Sequence, residues 1–402
     1  MKKIFLLLCV VLLVGCAVVV EERESVLVAE PVFIGEAAPT PETTPTPEAT
    51  PAPVDASLAT DTPPDDALYE AVEYLLSQMT VEEKIGQLFM LRLPWQSLYV
   101  NAGTLALFEA IPMGGVIIFG DNVASREQLT ALTSDLQELS RLPLLIAIDE
   151  EGGRVSRAGR LFADGVTPSA YEIGAALYPS VAAFETGLLI GRELVQLGFN
   201  MNFAPVADIW SNPANEVIGR RAFGRDAEVV VPLVEAFTLG LHEGGVMAVA
   251  KHFPGHGDTY EDSHYALAVF HGDWTRWQML EGMPFASGIN AGVYGVMMGH
   301  IATPEITGDY LPATLSNFWH MTLRDMGFDG LIITDALEMR ALTDHFTCGQ
   351  IATMAFLAGA DILLMPHREQ QAFDAMLQAF EDGIFTEARL DESVRRILRL
   401  SF

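Results

Sequence analysis

The chain has 402 residues, with 23 Lys and Arg against 53 Asp and Glu, a net charge of −30 and a pI near 4.5. That balance excludes a nucleic-acid partner, because phosphate binding needs a basic stripe. Half of the residues are hydrophobic and the mean hydropathy is +0.27, which excludes a mainly disordered chain. Three cysteines cannot build a disulfide framework. What remains is an acidic globular protein of one large or two medium domains, an enzyme or a ligand-binding protein.

Met1-Lys2-Lys3 is a short basic start, and Ile4 to Val14 is an apolar run. Together they read as the n-region and h-region of a secretory signal, too short for an ordinary transmembrane helix. The run ends in Leu13-Val14-Gly15-Cys16, which resembles the lipobox of bacterial lipoproteins. The resemblance implies that residues 1–15 are cleaved off and that the Cys16 sulfur carries a diacylglyceryl group. Two acyl chains suffice for stable anchoring where one is marginal. Cys9 is then discarded and Cys348 is the only free thiol. The competing reading is an uncleaved signal anchor, since apolar residues continue to Val20. Both readings place the protein outside the cytoplasm, and the first makes the membrane a partner through the lipid.

Residues 17–67 hold eleven acids and one Arg, and residues 31–64 hold nine prolines and seven threonines. With little to bury, residues 16–66 are expected to be an extended, semi-rigid tether. A Pro-rich recognition segment is the alternative.

From residue 67 to 402 short apolar runs alternate with longer amphipathic ones. The short runs are Gly86–Leu93, Gly115–Phe119, Leu144–Ile148, Asn200–Val206, Val246–Ala250, Tyr294–Gly299, Leu331–Thr334 and Asp361–Met365. They lack two-residue alternation, the mark of parallel strands buried on both faces. Between them the pattern predicts helices over Ser125–Ser140, Ser180–Leu197, Ala227–Glu243, Thr275–Asn290 and Ser316–Met326, with Gly198, Gly244, Gly327 and Gly359 as caps. Gln370–Phe380 and Glu387–Leu400 are expected to close the last helical layer, after which the chain ends with no further domain. Eight such units predict a (β/α)8 barrel, with an open doubly wound sheet as the alternative.

Barrel enzymes draw their chemistry from the C-terminal ends of the strands. Here those ends carry Asp149-Glu150-Glu151-Gly152-Gly153-Arg154-Val155-Ser156-Arg157, then Asp208 and Arg220-Arg221, then Lys251-His252-Phe253-Pro254-Gly255-His256-Gly257-Asp258-Thr259 with Asp262-Ser263-His264, then His300, and Thr334-Asp335. Carboxylates, cations and histidines converge on one face, as a polar, hydroxyl-rich substrate requires.

The segment Lys251–His264 resembles the signature loop of bacterial β-N-acetylglucosaminidases of glycoside hydrolase family 3. The blocks at Asp149–Arg157, Arg221 and Asp335 match in order and spacing. The resemblance spans residues 68–402 and extends to the short, one-domain members. It implies a retaining exo-glycosidase acting on N-acetylglucosamine-containing glycans of cell-wall fragments or chitin, with no metal and no organic cofactor. It places the nucleophile at Asp335, which also suits that role as a carboxylate at the end of a buried strand. A helix-capping Asp is the bland reading of the same residue. The acid/base is implied to be His264, oriented by Asp262 in place of the usual second carboxylate. An imidazole with an ordinary pKa near ~6.5 titrates where general acid–base catalysis is most efficient. Asp149, Arg157, Arg221, Lys251 and His252 are implied to hold the sugar hydroxyls. His256 and His300 are expected behind them, Glu150 and Glu151 are expected to orient their loop, and Arg154 and Asp208 to join a buried ion network.

Other chemistries fit less well. Pro254 and Gly255 stand between His252 and His256, so no helix presents both to a zinc ion. Gly255-His256-Gly257 lacks the Gly-Lys-Ser/Thr ending of a phosphate loop, and there is no Gly-x-Ser-x-Gly elbow. Trp274 and Trp277 read as packing residues rather than a sugar platform. Three rival functions stay open: a glycosyl phosphorylase, a non-catalytic sugar-binding lipoprotein, and a β-glucosidase or β-xylosidase. Nothing in the sequence fixes an oligomeric state.

Overall fold

The apolar runs become eight strands: β1 Phe89–Arg92, β2 Gly115–Ile118, β3 Leu145–Ile148, β4 Met201–Asn202, β5 Met247–Phe253, β6 Gly295–Met298, β7 Leu331–Thr334 and β8 Leu363–Leu364. They belong to a computed structural model that describes residues 66–402; the signal, Cys16 and the tether lie outside the described residues. The strands pair in the order β7-β6-β5-β4-β3-β2-β1-β8, and every pairing is parallel. Ile362, just ahead of β8, bridges Ile333 of β7 in parallel, and Thr334 N donates to Ile362 O at 3.0 Å. That bridge closes the ring, and the fold is a (β/α)8 barrel. Four-residue strands such as β2, β3, β6 and β7 are buried at every position, because barrel core covers one face and helices the other.

The first strand starts later than the apolar run at Gly86–Leu93 predicts. Thr80 and Glu83 form a reciprocal capping box, Glu83 N donating to Thr80 Oγ1 at 3.2 Å and Thr80 N to Glu83 Oε2 at 2.9 Å. Worth about 1 kcal/mol, it starts a helix that takes Gly86 and Gln87 with it, Val81–Gln87. The run at Asn200–Val206 yields only the two residues of β4, because two amides replace the ladder. Asn200 Oδ1 accepts from Ile146 N and its Nδ2 donates to Leu144 O, both at 2.8 Å. Asn202 clasps Glu150 in the same way, at 2.9 Å in each direction.

The helix predicted over Thr275–Asn290 is two helices, Trp274–Met279 and Met283–Asn290. Pro284 has no N–H to give an earlier turn, so it opens a new helix instead. The other predicted helices appear with ends shifted by one residue or less, and Ala227–Glu243 appears as such. Gly198, Gly327 and Gly359 carry positive φ as caps do. At Gly244 the expectation is off by one: its φ is −74°, and Gly245 takes the left-handed turn at +93°.

At the N-terminal face Asp361 fixes the closure. Its buried carboxylate accepts from Ile332 N (3.0 Å), Arg324 (2.7 Å), Arg396 (3.2 Å) and Ser393 Oγ (2.6 Å). One carboxylate thus joins β7 to two outer helices, leaving the opposite face free for chemistry.

Candidate active site

Asp149 directly follows β3, and the chain then folds back in a tight hairpin, Glu150–Gly152 against Val155–Ser156. Gly152 and Gly153 turn it with φ of +85° and +55°, and a Cβ on Gly152 would stand 2.4 Å from Pro168 O. Only glycine meets both demands. Beneath the hairpin Glu150 is fully buried and accepts from the N–H groups of Arg157, Ala158 and Gly159 at 2.8–3.1 Å. That grip brings the Arg157 side chain back beside Asp149, 4.0 Å away. Burial raises the Glu150 pKa against the pull of those N–H groups.

Lys251 and His252 lie within β5 itself, not after it as the run ending at Ala250 predicts. Lys251 Nζ sits 2.6 Å from Asp149 and 2.6 Å from Glu151. Arg221 meets both oxygens of Glu151 with two parallel bonds, at 2.9 and 2.8 Å, sharing Oε1 with Lys251. Burial alone would raise the Glu151 pKa, yet Arg221 and Lys251 hold it far below the usual carboxylate range. The same contacts raise the Arg221 pKa against burial. Glu151 is therefore the clamp that positions two cations, consistent with an orienting role.

His252 Nδ1 lies 2.8 Å from Asp208, whose carboxylate also accepts from His256 N at 2.6 Å. The aspartate fixes the ring so that Nε2 turns toward the cavity, 3.4 Å from Arg221. Asp208 thus joins the buried network as expected. Arg154 does not: its exposed guanidinium instead holds the carbonyls of Glu216, Val217 and Ile218, bracing the loop that carries Arg221.

Asp335 follows β7. Its Oδ1 accepts from Ala336 N at 2.7 Å, and the residue forms part of the cavity wall, which leaves the second oxygen to the cavity. Burial opposes its ionisation, but the nearby His300 and His252, the Ala336 N–H and His264 outweigh that, lowering its pKa from 3.8 to about 2. His300 is fully buried and donates from Nε2 to Ala336 O at 2.9 Å, so it supports the turn at Asp335 from behind. His264 is on the exposed loop after β5. Its Nδ1 lies 2.7 Å from Asp262 Oδ1, and its main-chain N donates to the same oxygen at 3.0 Å.

These groups surround one cavity of about 190 Å³. Asp149, Arg157, Arg221, Lys251, His252, His264 and Asp335 line it, and Asp262 stands behind His264. It is smaller than the roughly 300–1,000 Å³ of drug-sized sites, a volume for one small polar ring. Sequence reasoning omits the apolar lining from Phe119, Met297, Met339 and Met365. Phe119 and Met365 directly follow β2 and β8, so the strand-end rule applied to every strand would have found them. Trp274 and Trp277 lie outside the cavity, stacked on each other at 4.9 Å and packed on Trp319. A larger cavity, about 280 Å³, opens at the barrel's other end against Leu75, Met79, Phe108, Met113 and Leu142, with no cluster of histidines or acids.

The family pattern described as "Glycosyl hydrolase family 3 N terminal domain" matches residues 80–400. "Beta-hexosaminidase A" of Pseudoalteromonas piscicida is 36% identical over 324 residues, 73% of this chain and 54% of its own length. "Beta-hexosaminidase" of Chromobacterium violaceum is 39% identical over 277 residues, 66% of this chain and 75% of that protein. The solved family 3 β-N-acetylglucosaminidase of Paenibacillus sp. str. FPU-7 superposes with a TM-score of 0.76 at 41% identity, over 80% of this chain and 62% of that one. This chain spans about half the length of the Pseudoalteromonas relative and under two thirds of the Paenibacillus protein. With the family pattern running through the whole barrel, the chain belongs to glycosyl hydrolase family 3.

Proposed function

We propose that the protein is a retaining, exo-acting β-N-acetylglucosaminidase, removing terminal β-linked N-acetylglucosamine from cell-wall fragments or chitooligosaccharides. One observation carries this reading: a carboxylate with a low pKa, Asp335, shares a sugar-sized cavity with His264, whose Nδ1 is held by Asp262. The relatives named β-hexosaminidase and the Paenibacillus enzyme support N-acetylglucosamine as the sugar.

In the first step the free oxygen of Asp335 attacks the anomeric carbon while the C1–O bond to the leaving group breaks. His264, protonated, gives its Nε2 proton to the departing oxygen, which leaves as an alcohol. The product is a glycosyl ester on Asp335. In the second step neutral His264 takes a proton from water, the water oxygen bonds to C1, and Asp335 leaves as carboxylate. Two inversions give net retention. Asp262 stabilises the imidazolium and fixes its tautomer. Asp149, Arg157, Arg221, Lys251 and His252 hold the ring hydroxyls, through charge-assisted bonds about twice as strong as neutral ones. Lipidation at Cys16 would place this reaction in the cell envelope.

The test is hydrolysis of aryl β-N-acetylglucosaminide and aryl β-glucoside by the full chain and by Asp335→Asn, with and without phosphate. The expected result is N-acetylglucosamine released by the parent alone, at a rate indifferent to phosphate. Sugar 1-phosphate would indicate a phosphorylase, and preferred cleavage of the glucoside would indicate a glucosidase. Binding of N-acetylglucosamine without turnover would leave a sugar-binding protein.

A further inference from the structure

Between Tyr260 and Ala266 the loop that carries Asp262 and His264 is exposed or half-buried at every residue except Ser263, which is 2% exposed. Ser263 points inward onto His256, a buried histidine that the proposed reaction does not use. Its Oγ lies 3.1 Å from His256 Nε2. On the other side of that ring Nδ1 lies 2.7 Å from Thr259 Oγ1, and the Thr259 hydroxyl reaches His256 O at 3.0 Å. With the hydroxyl proton of Thr259 given to that carbonyl, its oxygen accepts from Nδ1–H. The remaining ring nitrogen then accepts from Ser263 O–H. Burial, then the neighbouring His252, lowers the His256 pKa to about 4, which keeps Nε2 an acceptor at working pH. The main chain of His256 is held in turn by Asp208, the same carboxylate that orients His252.

We infer that His256 and Ser263 form an internal latch that positions the Asp262–His264 pair over the cavity and links it, through Asp208, to the sugar-holding His252. The inference rests on the reaction proposed above. Ser263 is the one buried residue of the exposed stretch, and it stands between the two residues of the pair. Releasing it leaves the loop's internal turn, Tyr265 N and Ala266 N to Asp262 O at 2.9 and 3.0 Å, intact. It removes the side-chain tie between that turn and the barrel, leaving the longer main-chain bond from Arg340 N to His264 O, 3.4 Å. Both Ser263 and His256 are positioning residues: neither exchanges a proton with substrate.

The test uses the full chain and aryl β-N-acetylglucosaminides whose leaving groups range from dinitrophenol, which departs without a proton, to phenol, which needs one. kcat/KM is the readout, since it reports cleavage of the glycosidic bond. Ser263→Ala is expected to lower kcat/KM for the phenyl glycoside by about 10-fold or more, part of the ~10²–10⁴ a general acid supplies, and to leave the dinitrophenyl glycoside close to parent. Ser263→Thr should restore most of the loss. In a His264→Ala background Ser263→Ala should cost nothing further, because both act through one group. Equal losses on all leaving groups, or full additivity with His264→Ala, would assign Ser263 a merely structural role and overturn the latch. So would an unchanged profile. A parent that cleaves none of the glycosides would instead overturn the proposed reaction, and the latch with it.

Discussion

Asp262 accepts a 2.7 Å hydrogen bond from Nδ1 of His264, so the opposite ring nitrogen is the one left to the cavity that His264 lines. A carboxylate that holds one nitrogen of an imidazole fixes its tautomer and makes the other a better-placed proton donor. Replacing Asp262 with Asn keeps the shape and removes the charge. Asp262→Asn should lower kcat/KM on a phenyl glycoside by about 10²-fold, measured by steady-state kinetics. Activity near that of the parent would remove Asp262 from the acid/base role.

The low pKa of Asp335 has a thermodynamic signature. Its folded-state pKa is depressed from 3.8 to about 2, so its contribution to stability is complete above the unfolded value and is lost as pH falls through the folded one. The difference in unfolding free energy between parent and Asp335→Asn should therefore be flat from neutral pH down to about 4. It should then shift by about 2 kcal/mol on the way to pH 2. Urea unfolding at a series of pH values measures it. A slope between neutral pH and about 5 would mean that the carboxylate titrates near neutrality.

Lys251 is 2% exposed and lies between two carboxylates, Asp149 and Glu151. Lys251→Met keeps the stem and removes the charge, leaving both acids without that partner in a poorly hydrated site. The expected loss of stability is about 3–5 kcal/mol, with KM raised in whatever fraction folds. Thermal unfolding and substrate titration read the two effects. A variant as stable as the parent would show that Arg221 and Arg157 alone neutralise the pair.

Cys16 lies outside the described residues, and its lipid is part of the proposed envelope location. In a bacterium that processes lipoproteins, Cys16→Ser should move the protein from the membrane fraction to the soluble one and abolish labelling by a fatty-acid probe. An unchanged distribution would favour the uncleaved signal anchor.

The barrel was legible because doubly buried strands write themselves as apolar runs, and seven of the eight lie within the runs that announce them. β5 runs on past Ala250 because Lys251 and His252, polar in sequence, bury their side chains in the ion and hydrogen-bond network at the barrel mouth. β1 starts later than the apolar run suggests because a four-residue capping box outweighs a continuous apolar stretch. The signal, Thr80-x-x-Glu83, was there to be read. The site residues were legible as strand ends carrying charge. What the sequence did not convey was how they divide the labour. Glu151 and Glu150 are neighbours with opposite pKa shifts, because one meets two cations and the other only neutral donors. That difference depends on Arg221 and Lys251, distant in sequence, folding back onto Glu151, while Glu150 meets main chain only 7 to 9 residues on. Arg154 was assigned to an ion network for the same reason: its partners are carbonyls, and carbonyls leave no mark in a sequence.

The most direct measurement is to trap the glycosyl ester. A fluorinated N-acetylglucosaminyl fluoride, slow to turn over because fluorine destabilises the oxocarbenium-like transition state, should inactivate the full chain in a time-dependent way. Peptide mass spectrometry should then place one sugar on the segment containing Ile333-Thr334-Asp335-Ala336. A label on another residue, or turnover of aryl N-acetylglucosaminide that releases the α-anomer first with no label at all, would contradict Asp335 as the nucleophile.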